Sequence, residues 1–530
     1  MNILGLNFGH DGSACIIKNG KILSAISSER ITRQKKFVGI TKEVIDYVLD
    51  DSGVSVEEID AIALSDYMLK NNGGVLELYD GSEQILNTTN QYFENNYKEV
   101  LGLFLGKEIQ VFIVPHHMSH AAAAYYTSNF ESSWCFSMDS SYGDTKSNNL
   151  IARGNGNKLE AISSPGLMVG VGYAMFTELA GIGPALYKAG STMGLASYGD
   201  PTSDVIDNIK EYVEKCYFDT ANQKLYLNYY FDLWEKWNGT REANSLGNVN
   251  NKHIMNMSAN MQFLFENAIL DCISKIEKGG IENLCLSGGS MLNCNVNSMI
   301  KNKSGFKDVH LFPACGDDGI SVGAALYVAH HIFDEKRYVY DIEDICYLGK
   351  EYAWVEPDYN QLAKMIADGK TIAWFMGRSE FGPRALGNRS ILADPRNFHN
   401  REILNFVVKN REWFRPYAPV VLEEKCNEWF DFDGISPYML YTAKVLKPDI
   451  IPAVTHIDGT ARMQTITEKT NKPYYNLIKA FEDITGVPVL INTSLNGNNE
   501  PILETENDAL NFFYTSNIDV LVLNGTVYTK

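Results

Sequence analysis

The sequence predicts an α/β protein of at least two domains, the first a duplicated α/β unit with ligand loops at its strand ends. Three observations lead there. A chain of 530 residues is too long for one ordinary hydrophobic core. Short apolar runs end in Gly- or Asp-rich turns and pass into helix-favouring stretches, as in α/β folds that bind at strand ends. That order appears where Asn2–Asn7 meets Gly9-His10-Asp11-Gly12, and again where Asn283–Leu286 meets Gly288-Gly289.

Taken in order, Asn2–Asn7, Ala14–Lys18 and Ile22–Ile26 read as successive strands joined by tight turns at Asp11-Gly12 and Asn19-Gly20. Thr41–Asp51 has helical spacing, and Ile62–Ser65 is the next strand. Ile109–Val114 is a strand running into Pro115 and the helix Ser119–Tyr126. Trp134–Met138 is a strand ending at Asp139 and the polar loop Ser140–Asp144. Residues 238–258 are Asn-rich and read as a loop or insertion before a core helix, Met257–Lys278. After the Ala-rich helix Ala324–Ile332, an acidic connector places a boundary near 350, giving domains 1–350 and 351–530. The second block has strand signals at Thr371–Phe375, Ala418–Leu422 and Val487–Asn492.

Composition excludes several classes. Apolar content of 45% with 21% charged residues is that of a globular protein, and no run approaches the roughly 20 apolar residues of a membrane span. The first residues lack a basic and then apolar leader, so a cytoplasmic protein is expected. The nine cysteines form no C-x-x-C pair, which argues against a zinc knuckle or disulfide framework. A net charge of −19 opposes nucleic-acid tracks, so no nucleic-acid partner is expected.

Against that acidity, Gly377 to Arg396 holds four arginines, Arg378, Arg384, Arg389 and Arg396, and a second group follows with Lys409, Arg411 and Arg415. Cations set among glycines, prolines and aromatics suit a compact pocket for a small, highly charged anion, since guanidinium forks match phosphate oxygens. The plainer alternative is a solvated loop.

His116 and His120 stand four apart in H-H-M-S-H, so on a helix both imidazoles share one face. The glutamate of a zinc-peptidase motif is absent. Asp139 and Asp317 are carboxylates at loop starts, and two His with two Asp favour iron, manganese or another borderline divalent ion. His117 is an alternative to His116, and Asp318 to Asp317. Gly288-Gly289, followed by Asn293, allows close backbone approach to a ligand. His10 could serve as a general base and Lys35 could orient a charged substrate. His456–Arg462 and Ile491–Asn496 offer polar groups at loops, and turn formation explains them equally well.

Together these motifs resemble the O-carbamoyltransferases of the NodU, cephalosporin and tobramycin type, over nearly the whole chain. The resemblance rests on G-H-D-G-S-A, H-H-M-S-H, S-T-M-G-L-A-S-Y-G, L-S-G-G-S-M-L-N, G-D-D-G, F-G-P-R-A-L-G-N-R-S-I-L-A-D-P-R, R-E-W-F-R-P-Y-A-P, H-I-D-G-T-A-R and N-T-S-L-N. It implies an N-terminal domain of the actin-like ATPase and sugar-kinase type, similar to TsaD, and a C-terminal YrdC-like domain. The C-terminal domain would make carbamoyladenylate from carbamoyl phosphate and ATP; the other would pass the carbamoyl group to a hydroxyl acceptor and release AMP. His116, His120, Asp139 and Asp317 are then the ligands of an Fe(2+)-type ion, with Mg(2+) accompanying ATP. The resemblance gives His10 and Lys35 catalytic and acceptor-side roles. It implies adenylate contacts at Gly288, Gly289 and Asn293, with Ser494 and Asn496 as the S-x-N nucleotide signature. It likewise implies that Arg384, Lys409, Arg411 and Arg415 form the carbamoyl-phosphate clamp. The acceptor and oligomeric state stay open, a homodimer being allowed.

This chain departs from the family pattern at Ala189 and Ser191, where an acidic residue and a lysine are usual, and at Asn498, where arginine is common. Other readings of the same residues are an ATP-dependent kinase, a nucleotide- and metal-sensing protein without turnover, and an accessory protein for tRNA modification.

Overall fold

A computed structural model describes residues 1–65, 74–78, 97–139, 149–218, 223–238, 249–409 and 411–530. The expected loop Ser140–Asp144, and residues 239–248 of the expected insertion, lie outside the described residues.

The first sheet contains β1 (Asn2–Asn7), β2 (Ser13–Lys18), β3 (Lys21–Ser27), β4 (Ala61–Leu64), β5 (Leu76–Leu78), β6 (Lys98–Phe104) and β7 (Lys107–Ile113), in the order 3-2-1-4-7-6-5. The second contains β8 (Ser132–Met138), β9 (Asn149–Asn155), β10 (Lys158–Ser163), β11 (Asn283–Ser287) and β12 (Asp308–Leu311), in the order 10-9-8-11-12. In each, a central strand pairs antiparallel with its successor on one side and parallel with a later strand on the other. The duplication expected from the sequence is therefore visible as one topology used twice. Fully buried runs such as Ile3–Asn7 explain why these central strands read as continuous apolar segments rather than alternating ones.

Two helices cross between the sheets, His116–Thr127 and Ile320–Tyr327. Small residues let them touch: a Cβ on Gly323 would meet the Ser119 carbonyl at 1.8 Å, and one on Gly5 would meet that of Ser321 at 2.3 Å. The first helix begins three residues before its expected start, directly after Pro115, which puts His116 in its first turn. The expected helix Met257–Lys278 runs instead over Lys252–Ser274, because Asn251 caps it by accepting from His253 N at 2.9 Å. The helix thus claims the end of what the sequence presented as an insertion.

The third sheet contains β13 (Ile372–Phe375), β14 (Arg389–Ala393), β15 (Ala418–Leu422), β16 (Phe430–Asp431), β17 (Tyr441–Val445), β18 (Thr460–Ile466), β19 (Val489–Ser494), β20 (Val520–Leu523) and β21 (Thr526–Thr529), ordered 16-17-18-15-19-14-13-20-21. It has its own core, yet Phe381, Leu386 and Phe414 pack into the core of the second sheet. Polar contacts reinforce this junction: Asn297 Nδ2 donates to Leu440 O at 3.0 Å, and Arg378 reaches Asp51 at 2.7 Å. Among the described residues no helix is long and apolar enough to cross a membrane.

Candidate functional site

The crossing helices bring four expected residues together. His116 and His120 project from one helix face, Asp139 follows β8, and Asp317 opens the turn into Ile320–Tyr327. One ligand atom from each lies within 4.8 Å of the others. His120 Nε2 stands 2.7 Å from Asp139 Oδ2 and 3.3 Å from Asp317 Oδ1; His116 Nε2 stands 3.1 Å from Asp139 Oδ2. His120 Nε2 is buried and faces both carboxylates, whose charges outweigh its burial and raise its pKa to about 10. Burial opposes charge on Asp139, but His120 and His116 hold its carboxyl well below the usual range. Ionised oxygens facing two imidazoles are the donor set of a borderline divalent ion, and the residues fit one.

The alternatives separate cleanly. His117 turns away, its Nδ1 3.3 Å from Ser137 Oγ, and burial pushes it down to about 3. Asp318 faces Asp11 and Lys36 instead, and burial first, then Asp11, raises it to about 7.

His10 borders the cluster, with Nε2 2.9 Å from Asp317 Oδ2 and Nδ1 3.2 Å from Asp11 Oδ2. Lys36 Nζ completes the row at 2.7 Å from Asp11. Beneath Asp139 lies the glycine loop after β11. Gly288 has φ +93°, and a Cβ there would fall 2.2 Å from Met138 O; only glycine fits. Gly289 N donates to Asp139 Oδ1, tying loop to carboxylate. Asn293 is occupied in the fold: its Oδ1 accepts from Val296 N as a helix cap, and its amide pairs reciprocally with Gln262.

The second cluster is cationic. Of the four arginines in Gly377–Arg396, three serve the fold. Arg389 is fully buried and donates to the carbonyls of Met376, Gly377 and Asn388. Arg378 holds Asp51, and Arg396 folds back on Asp394 at 2.6 Å. Arg384 makes none of these structural contacts, and its Nε is buried without a hydrogen-bond partner. It shares its surroundings with Arg415 and with Arg462, which the sequence reading left unassigned within H-I-D-G-T-A-R. Burial first, then Arg384, pulls Arg462 down to about 9; burial and Arg411 pull Arg415 down to about 10. These are like charges held close with few carboxylates to offset them, and an anion is what relieves such a cluster.

Around these three, Arg411 Nε donates to Asn405 Oδ1 at 2.8 Å and its guanidinium lies over Tyr417. Lys409 Nζ donates to Asn496 O at 2.9 Å and to Ser494 O, so the K-x-R and S-x-N segments meet. Burial, then Arg411 and Lys35, hold Lys409 well below its ordinary value. Lys35 keeps an exposed side chain; its low-polarity surroundings first, and then Lys36, Arg415 and Arg384, draw its ammonium down. Arg384 links the clusters, since its charge acts on Cys315 and Asp318, close to Asp317 on either side.

A separate cavity of about 430 Å³ opens where the two halves meet, beside Leu23, Glu343, Tyr347, Glu351, Trp354 and Asn471. Its cations are already paired, Lys21 with Asp344 and Arg378 with Asp51, so it offers phosphate little.

Comparison with known proteins gives a consistent picture. Two family models match, "Carbamoyltransferase N-terminus" over residues 2–326 and "Carbamoyltransferase C-terminus" over 363–530. The nodulation protein NolNO of Sinorhizobium fredii is 32% identical, over 99% of this chain and 79% of that protein. The 3'-hydroxymethylcephem-O-carbamoyltransferase of Streptomyces clavuligerus is 26% identical, over 100% of this chain and 99% of the other. Among solved structures, the activator of 2-hydroxyisocaproyl-CoA dehydratase from Clostridium difficile covers 64% of this chain and 99% of its own, at 13% identity and TM-score 0.33. That likeness is too loose to carry an argument.

Proposed function

Because the chain belongs to the carbamoyltransferase family and is an enzyme of carbamoyl transfer, we propose that it is an ATP-dependent O-carbamoyltransferase working through carbamoyladenylate. The observation that carries this reading is the under-compensated cation cluster of Arg384, Arg415 and Arg462 lying next to the His/Asp cluster. A kinase would need no second anion pocket of this strength.

The division of labour follows the two halves of the chain. Residues 1–350 form a TsaD-like unit of the actin-like ATPase type; residues 351–530 form a YrdC-like unit. In the second, Arg384, Lys409, Arg411, Arg415 and Arg462 hold the phosphates of carbamoyl phosphate and of ATP with its Mg(2+), with Ser494 and Asn496 positioning Lys409. A carbamoyl oxygen becomes bonded to the α-phosphorus and pyrophosphate leaves. Atom balance requires one water to enter and the phosphate of carbamoyl phosphate to leave as inorganic phosphate. Cations fixed in advance favour this step because they stabilise charge on the leaving groups without reorganising. Carbamoyladenylate is a mixed anhydride, so passage within the protein, past Arg384, protects it from water.

In the first half, Gly288 and Gly289 allow close approach of the adenylate. The acceptor hydroxyl attacks the carbamoyl carbon and AMP leaves; His10 takes the proton once it has given up the one it shares with Asp317. His116, His120, Asp139 and Asp317 hold a divalent ion of the Fe(2+) type, which would supply positive charge to the adenylate oxygens. The acceptor is a hydroxyl of a small molecule or glycan, and the reaction belongs in the cytoplasm.

The test is pyrophosphate release by purified protein given ATP, magnesium and carbamoyl phosphate. Release that requires carbamoyl phosphate and disappears in Arg384→Ala supports the reading. ADP as the product in place of AMP and pyrophosphate would sink it.

A further inference from the structure

The turns that carry His10 and Asp317 lie far apart in the chain, and one buried side chain ties them together. Asn7, the last residue of β1, is fully buried. Its Oδ1 accepts from Gly9 N at 2.9 Å, the bond an asparagine makes to the backbone two residues on, and this turns the chain out of the strand towards His10. Its Nδ2 faces three carbonyls, Asp317 O at 2.9 Å, His10 O at 3.3 Å and Asp11 O at 3.3 Å. Carbonyls at one end and an N–H at the other fix which way the amide points. An ionised aspartate could make the same turn, but it has no donor for the carbonyls.

Backbone contacts hold the other side of this turn. Gly12 N donates to Phe37 O at 3.1 Å, and Gly39 N to Gly9 O at 3.1 Å. The strands β1 and β2 also pack on the helix Ile320–Tyr327, through Gly5 and through Ser13 Oγ, 2.7 Å from Ser321 Oγ. Those contacts set where the helix lies; Asn7 acts at its ligand-bearing end, on the backbone of Asp317 itself. The approach of His10 Nε2 to Asp317 Oδ2 at 2.9 Å thus closes a ring, the side chains meeting directly and the two backbones meeting through Asn7. Asp317 Oδ1 meanwhile faces His120 Nε2 at 3.3 Å, so this carboxylate serves the cluster and His10 together while its backbone keeps its place. We propose that Asn7 is a positioning residue, whose side-chain amide holds Asp317 in register with His10 and so presents its carboxylate to the divalent ion. Partners that orient a ligand in this way typically change metal affinity by about 10- to 100-fold. The inference rests on the proposed function only in taking the His/Asp cluster to be a metal site.

Cobalt titration of the metal-free full chain tests it. Asn7→Leu keeps the volume and removes donor and acceptor, and is expected to weaken cobalt about tenfold or more. Ser13→Ala, which breaks a contact between the same elements away from the ligands, is expected to leave cobalt affinity unchanged. In an Asp317→Ala background Asn7→Leu should cost less than about twofold, because Asn7 acts through Asp317. Pyrophosphate release from ATP and carbamoyl phosphate, assigned to the other half of the chain, should stay as in wild type. Unchanged cobalt affinity in Asn7→Leu overturns the proposal, as does a tenfold loss that recurs without Asp317, an equal loss in Ser13→Ala, or a parallel fall in pyrophosphate release. If Asn7→Leu does not fold, Asn7→Ser, whose hydroxyl is too short to reach Asp317 O, carries the same expectations. A wild type that takes up no cobalt refutes the metal site and the proposal alike. The expected cobalt pattern with no pyrophosphate formed by wild type leaves the positioning role standing and refutes the reaction.

Discussion

Consider Arg462→Met, which keeps the aliphatic stem and removes the charge. Arg462 is partly buried on β18, and its guanidinium faces those of Arg384, Arg415 and Arg411. Burial first, and then these neighbours, pull it down from the ordinary arginine range to about 9. An arginine keeps its proton at neutral pH, so the difference is stored as electrostatic stress in the ligand-free fold. Read literally the shift amounts to roughly 5 kcal/mol, a ceiling that water at the pocket mouth reduces to about 1–2 kcal/mol. The ligand-free variant should therefore be more stable than wild type by about 1–2 kcal/mol, because a buried like charge has gone. Anion binding should move the other way. Loss of one charge-assisted contact weakens pyrophosphate by about 10- to 100-fold. Denaturant unfolding without ligand and calorimetric titration with pyrophosphate read the two quantities separately. A variant that is less stable without ligand yet binds pyrophosphate as wild type does would refute the reasoning, making Arg462 an ordinary structural cation.

Three further outcomes are expected. Gly289→Ala places a Cβ 2.8 Å from Asp139 Oδ1, the oxygen its own amide holds; cobalt titration should show metal affinity reduced about tenfold or more with the far-UV spectrum unchanged. His120→Ala should abolish metal uptake measured by elemental analysis, whereas His117→Ala, whose ring turns to Ser137, should retain it. His310, bonded to Thr127 Oγ1 at 3.1 Å, is pushed down to about 4 by burial. The unfolded chain therefore takes up that proton first as pH falls below about 6.5, and stability drops from there to about pH 4, by up to about 3 kcal/mol. His310→Asn should flatten that part of the urea-unfolding pH profile; an unaltered slope would show the loss lies elsewhere.

Legibility in the sequence followed the range of the interactions. The His/Asp cluster was readable because helix spacing is local and the carboxylates stand at loop starts. Choosing His116 over His117 required the helix phase, which is set by the contact of Gly323 with Ser119, far apart in the chain. The repeated strand order was foreshadowed by repeated strand–turn signals. The order within the third sheet was not, because β13 pairs with β20 across most of that half. The arginine run misled by proximity: carbonyls of Met376, Gly377 and Asn388 turn inward and require a donor, and Arg389 supplies it. Conversely Arg462 comes beside Arg384 and Arg415 from a distant segment, with nothing local to announce it. Asn293 had the right neighbours for a ligand contact, but its cap and its pairing with Gln262 are tertiary facts.

That pattern bears on Ser191, where the family pattern has lysine. Ser191 is fully buried, and its Oγ accepts from Arg415 Nη1 at 2.7 Å. A lysine there would add one more like charge to a cluster already strained by Arg384, Arg411, Arg415 and Arg462. The hydroxyl does the opposite: it gives Arg415 an acceptor and fixes its direction. One turn earlier on the same helix, Lys188 pairs with Glu412, so the helix holds the 411–416 segment at two points. The first half of the chain thus supplies, through Ser191, the acceptor that fixes one arginine of the cation cluster in the second.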